Sequence, residues 1–276
     1  MAPQLADLLG PLLHARAFTA VPPGGSGVCG ACHGPAPPGR DRCASCRAVL
    51  AQVDDPLTLV VPISLYTTAS GRLAGGGQLY NLLWEYKDRR NPLPEVPWQV
   101  AAILARFLAA HHRCVSRRAG GGWEVVTSVP STVGRNGQHP LRAALHRMAR
   151  FDRPRKEREA PLLRPGPAPV REGQADLEGF TVTEPVAGRR VLLVDDALVT
   201  GARLQSAAAA LRRAGATVVA GVVLGRLVLP GDAAAERLWR RQRGREFTFD
   251  ACCLEDSQPF QPTLDLVPTP AERLPG

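Results

Sequence analysis

Val191-Leu192-Leu193-Val194, followed at once by Asp195-Asp196, is the segment that most narrows the folds open to this chain. Four apolar residues are too few for a helix, and the adjacent carboxylates close the run, so it reads as a buried strand of a parallel sheet. The alanine-rich stretch from Leu204 to Ala214 favours a helix, and Gly215 stops it. Thr217 to Leu224 is rich in β-branched residues and predicts a second strand. Residues 191–224 are therefore one strand-helix-strand unit, the building block of a parallel α/β sheet.

The flanking sequence supplies further elements. A strand is expected from Trp123 to Val129, then a helix from Pro140 to about Phe151 that buries Leu141, Leu145 and Met148. Thr58 to Leu65 predicts a strand or hairpin. Leu79, Leu82, Leu83 and Tyr86 recur at helical spacing, as do Val100, Ile103, Leu104, Phe107 and Leu108, and the two helices should share one core. Leu5 to Leu13 has helical spacing but contains Gly10 and Pro11, which predicts one short helix or a broken pair. Residues 152–176 mix arginine, glutamate and proline without apolar periodicity and read as a solvated, mobile loop. These patterns divide the chain into residues 1–50, residues 58–258 and a Pro-rich tail, 259–276.

Four cysteines fall as Cys29-x2-Cys32 and Cys43-x2-Cys46, two knuckles ten residues apart in a turn-rich stretch. Four thiolates at this spacing suit tetrahedral zinc in a closed, structural site of the zinc-ribbon kind. Arg40, Arg42 and Arg47 lie where they could donate toward the thiolates, and His33 could replace a ligand. Cys114, Cys252 and Cys253 lack such spacing and are expected to be buried free thiols. Seven cysteines are an odd count, which with the knuckles argues for a metal site in a reducing cytoplasm and against a disulfide framework.

Composition sets outer limits. With 45% hydrophobic and 21% charged residues, the 276-residue chain is neither disordered throughout nor collagen-like. No apolar run approaches the roughly 18 residues needed to span a bilayer, and the N-terminus lacks the basic start of a signal peptide. The net charge of +9 is almost wholly arginine, since Lys87 and Lys156 are the only lysines, and the arginine fork suits phosphate. Aromatic residues are only 5% and are not interleaved with the basic ones, which weakens a case for base stacking on single-stranded DNA.

The strand ending in Asp195-Asp196 leads through Thr200-Gly201 into the helix. Ligands of open α/β sheets sit at the carboxyl ends of the strands, and a helix N-terminus offers backbone N–H groups to an anion. Carboxylates there suit vicinal hydroxyls or Mg²⁺, so a sugar phosphate is the natural ligand. Asp195, Asp196, Thr200 and Gly201 are expected to line one pocket, with Arg203, Lys87 and Ser131 as further phosphate contacts. A strand-end turn with a helix cap is the other account of the acidic pair.

Residues 191–202 resemble the fingerprint of the type I phosphoribosyltransferases: four apolar residues, two acidic residues and a Thr-Gly loop. With the N-terminal helix, the four cysteines, Leu82-Leu83-Trp84-Glu85-Tyr86-Lys87 and the strand ending Val129-Pro130-Ser131, the chain is similar to the ComF/GntX branch. That resemblance implies a phosphoribosyltransferase-like parallel sheet flanked by helices, with a small N-terminal zinc-ribbon module. It implies that Asp195 and Asp196 hold the ribose hydroxyls, that Ala197, Leu198, Val199, Thr200, Gly201 and Ala202 hold the 5′-phosphate, and that the segment after Val129 faces Mg²⁺-bound pyrophosphate. Arg153, Arg155, Lys156 and Arg158 could close over it.

The chain departs from the family where Val199 and Arg203 replace hydroxyl residues, and where Gly134-Arg135-Asn136-Gly137-Gln138-His139 replaces Arg-Gly-Phe-Asn. Two functions stay open. One is binding of phosphoribosyl pyrophosphate or a nucleotide, with phosphoribosyl transfer if the domain is active. The other is a non-catalytic accessory of competence and DNA uptake, its pocket vestigial, contacting single-stranded DNA or the competence machinery.

Overall fold

The computed structural model describes residues 4–68, 77–87, 93–131, 140–148, 151, 158–229 and 231–254. The expectations for the 134–139 segment, for Arg153, Arg155 and Lys156, and for the 259–276 tail lie outside them.

Five strands form one all-parallel sheet: Val60–Tyr66 (β1), Val125–Ser128 (β2), Arg158–Glu159 (β3), Arg190–Leu198 (β6) and Thr217–Leu227 (β7), in the order β1-β7-β6-β2-β3. Leu163–Pro165 (β4) and Phe180–Val182 (β5) form a separate antiparallel pair. The helices are Leu5–His14 (α1), Ala44–Leu50 (α2), Gly77–Glu85 (α3), Val96–Arg118 (α4), Pro140–Met148 (α5), Ala202–Arg213 (α6) and Ala233–Arg243 (α7).

Alternation along the central strand β6 assigns the two faces of the sheet. Leu192 and Val194 join a core with α1, α3, α4 and α5, including Leu83, Ile103, Phe107 and Leu145. Val191 and Leu193 join a second core with Leu204, Ala207 and Leu211 of α6 and with the four clustered cysteines. Both faces are thus covered, which is why these strands are apolar throughout and not alternating.

The structure departs from the sequence reading in some elements and selects between its alternatives in others. The central strand does not end at Val194 but runs on to Leu198, because Asp195, Ala197 and Leu198 continue the ladder against Val223, Gly225 and Arg226. Residues 60–66 form one strand and no hairpin. Helix α1 is unbroken despite Pro11, with Leu8 and Leu9 buried. Helix α5 is described over Pro140–Met148, and Met148, expected to be buried, is only half-buried. Within the expected mobile loop, Arg158–Glu159 pairs with β2 and Leu163–Pro165 pairs with β5. Two helices were not foreseen. Cys43 caps α2, its Sγ accepting from the Cys46 N–H, and Asp232 caps α7, accepting from the Ala234 N–H at 2.8 Å.

Candidate functional site

The acidic pair sits inside β6, so successive side chains point to opposite faces. Asp196 faces the end of α3: its carboxylate accepts a short hydrogen bond from the Tyr86 hydroxyl and pairs with Lys87 Nζ at 2.9 Å. Asp195 faces α6, where its Oδ1 accepts from the Asp196 N–H at 2.9 Å and Arg203 supplies the opposing charge. The two carboxylates are 2% and 1% exposed. A cavity of about 20 Å³ is lined by Thr200, Gly201 and Leu204 and, among others, by Cys32, Cys46, Val49 and Leu57.

Burial separates the chemistry of the pair. It opposes charge on both, but Lys87 and the Tyr86 hydroxyl outweigh it at Asp196 and hold that carboxyl below the usual range. At Asp195 burial wins over the pull of Arg203, with Asp196 adding repulsion, and the carboxyl is pushed up to about 7. An acid with a raised folded pKa holds its proton more tightly when folded. Its stabilising contribution is present at low pH and is lost as pH rises from about 4 toward 7. Relative to Asp195→Asn, wild-type stability should therefore fall across that window, by up to about 1.4 kcal/mol per pH unit, and run parallel above it. Denaturant midpoints of the two proteins that track each other from pH 4 upward would contradict this.

Of the expected phosphate loop, Ala197 and Leu198 belong to the strand and Ala202 to the helix, leaving Val199, Thr200 and Gly201 as the connection. Gly201 takes φ +89°, a left-handed conformation that glycine adopts without strain, and it caps α6 without a side-chain bond. Thr200 Oγ1 accepts from the Gly173 N–H at 3.1 Å, docking the loop after β4 onto this turn. Asp176 N–H donates to Ser206 Oγ at 2.8 Å and Ala175 N–H to Gln52 Oε1 at 2.7 Å, so residues 173–176 are tied down. Arg203 reaches across the carboxyl edge of the sheet to the Pro130 carbonyl at 2.9 Å, beside half-exposed Ser131. Its Nε is buried with no hydrogen-bond partner among the described residues.

The structure brings Cys29, Cys32, Cys43 and Cys46 together, all buried, with their sulfurs within 4.8 Å of one another. Cys32 and Cys43 Sγ are 3.8 Å apart, which equals the edge of a tetrahedron with metal–sulfur bonds of about 2.3 Å. This cluster can hold a metal ion. His33 is not among its ligands; its Nδ1 lies 3.0 Å from the Pro22 carbonyl. The cationic neighbour is not Arg40, Arg42 or Arg47 but Arg226, 6% exposed on β7. Its Nε donates to Cys32 Sγ at 3.4 Å and its Nη1 to the Leu198 carbonyl at 3.1 Å. Burial alone would weaken that charge, but the cysteines reverse the effect and raise its pKa. Arg226 thus links the cysteine cluster to the start of the Val199–Gly201 turn.

Sequence reasoning missed Tyr86 as a partner of Asp196, and it missed Arg226. Tyr86 follows a helical apolar pattern, and Arg226 interrupts an apolar strand. An arginine inside such a strand is itself a signal that a buried anion awaits it.

The chain matches no known protein-family profile. It is 41% identical over 76 residues to the adenine phosphoribosyltransferases of Mycobacterium avium (strain 104) and Mycolicibacterium paratuberculosis (strain ATCC BAA-968 / K-10). The match covers 25% of this chain and 42% of each relative, so the chain spans less than half the length of these curated relatives. Among solved structures, orotate phosphoribosyltransferase from Aeropyrum pernix aligns over 52% of this chain and 66% of its own, at 24% identity and a TM-score of 0.27. No helix among the described residues is long and apolar enough to cross a membrane.

Proposed function

We propose that this chain is a ComF-like protein with an N-terminal helix and four-cysteine zinc module at 1–50, a phosphoribosyltransferase-like domain at 58–258 and a Pro-rich tail at 259–276. It binds phosphoribosyl pyrophosphate or a nucleotide at the carboxyl edge of its sheet, in the cytoplasm. The observation that carries this is the continuous path from the acidic pair of β6 through Val199-Thr200-Gly201 into α6, with the Arg203 guanidinium between Asp195 and the end of β2. The local identity to adenine phosphoribosyltransferases supports it.

In this reading the backbone of the Val199–Gly201 turn and the dipole of α6 hold the 5′-phosphate, and Asp195 and Asp196 meet the ribose. The unsatisfied Arg203 Nε suits a pyrophosphate oxygen, replacing the family's hydroxyl donor by a charged one. Both oxygens of Asp196 already have partners in Tyr86 and Lys87, so Mg²⁺ fits as a companion of the pyrophosphate and not as a resident ion. Bound there, it would neutralise the leaving group during displacement from ribose C1. Lys87 must release or share Asp196 when ribose hydroxyls arrive. The four-cysteine cluster, whose donor set and spacing suit zinc, is structural.

A second reading rests on the same contacts. Two carboxylates 1–2% exposed, one already neutralised, also describe a vestigial pocket in a competence accessory protein. Calorimetric titration separates the two. Phosphoribosyl pyrophosphate with Mg²⁺ should give saturable heat, and a single-stranded oligonucleotide none. Arg203→Met should weaken the former by about 1.5–3 kcal/mol, the cost of a charged hydrogen bond. Saturation by the oligonucleotide alone would favour the accessory protein.

A further inference from the structure

We propose that His111, Cys114 and Cys252 form a second metal site, selective for a thiophilic ion such as zinc, that pins the segment after α7 onto α4. One donor atom from each lies within 4.8 Å of the other two. Cys114 Sγ stands 3.6 Å from His111 Nδ1 and 3.6 Å from Cys252 Sγ. A tetrahedral zinc with bonds of about 2.3 Å to sulfur and 2.0–2.1 Å to nitrogen has S···S edges of about 3.8 Å and S···N edges of about 3.6 Å. The spacing therefore matches an ion held between the donors.

The imidazole is set for ligation. His111 Nε2 lies 2.9 Å from the Phe249 carbonyl. A carbonyl can only accept, so Nε2 carries the proton and Nδ1 turns its lone pair toward the sulfurs. A ring nitrogen tied to a carbonyl while the other ligates is the usual arrangement at protein metal sites. His111 and Cys114 are three residues apart on α4 and so share a face.

Contacts that need no metal bring Cys252 to them. Arg106 of α4 pairs with Asp250 at 2.5 Å, and the Phe249 ring packs edge-on against Phe18 and Phe247. Charge also balances: two thiolates cancel a divalent ion. A buried site of this composition needs no compensating arginine, whereas four thiolates leave two negative charges, and there Arg226 is found. His111 and Cys114 are buried and Cys252 is partly exposed. The ion would close a loop of 138 residues between Cys114 and Cys252.

Metal content per chain tests this on the full chain purified without chelator. Wild type should carry one zinc more than the four-cysteine cluster takes, and both Cys252→Ser and Cys114→Ser should lose that one ion while keeping the other. Cobalt loading gives a second readout: the wild-type minus Cys252→Ser spectrum should retain thiolate-to-cobalt charge-transfer bands. If neither variant folds, alkylation of wild type serves instead, Cys252 becoming reactive at a chelator dose that removes one ion while the four-cysteine cluster keeps its own and the chain stays folded. A single ion per wild-type chain, equal metal content in wild type and variants, or a Cys114–Cys252 disulfide in the intact mass would overturn the proposal.

Discussion

With zinc bound as proposed at the four-cysteine cluster, its removal should destabilise the α/β body together with the cysteine loops. Spacing alone suggests a separable module, so chelation would be expected to loosen residues 22–50 and leave the rest folded. The tertiary packing argues otherwise. The cysteines share a core with Leu193 of β6 and Leu204 and Leu211 of α6, and Arg226 joins Cys32 to the Leu198 carbonyl. Structural zinc contributes about 10–16 kcal/mol of apparent binding energy in small zinc domains, more than a typical domain's stability of about 5–15 kcal/mol. Its loss also strands the Arg226 charge in a buried site. Hydrogen exchange during chelator titration should show protection lost in residues 28–50, in the Val199–Gly201 turn and at the end of β7 together. A melting curve unchanged by chelator, with metal content shown to be zero, would falsify this coupling.

Arg226→Met should cost about 3–5 kcal/mol, the usual penalty for removing one partner of a buried charge pair. The methionine fills much of the volume, but the Leu198 carbonyl loses its donor and the thiolates lose their counter-charge. Arg40→Ala and Arg47→Ala should each stay within about 0.5 kcal/mol, because both side chains are exposed. Urea midpoints compare the three directly. Equal losses at all three positions would return the compensating role to the arginines near the cysteines in sequence.

Local pattern and spacing carried the architecture. Buried strands declare themselves by unbroken apolar runs, so the strand-helix-strand unit was legible over 191–224, within the observed Arg190 to Leu227, and so was the cysteine cluster, since knuckle spacing is a property of adjacent residues. Helix α7 escaped the sequence reading: Asp232 supplies a cap, and Ala235, Leu238, Trp239 and Gln242 recur at helical spacing, but the dense arginines hide the stripe. The extent of β6 was not legible either, because acidic residues disfavour strands and only pairing with Val223 and Gly225 extends it.

What the site does with its charges was decided by tertiary structure alone. Strand alternation turned Asp195 and Asp196 to opposite faces, and Tyr86 and Lys87, 110 and 109 residues away in sequence, bond and neutralise one of them. Arg226 met Cys32 across 194 residues, and Cys252 met Cys114 across 138. Periodicity and motif spacing report which residues a segment offers. Burial and charge compensation depend on which distant segments the sheet brings to the same place, and no local pattern encodes that.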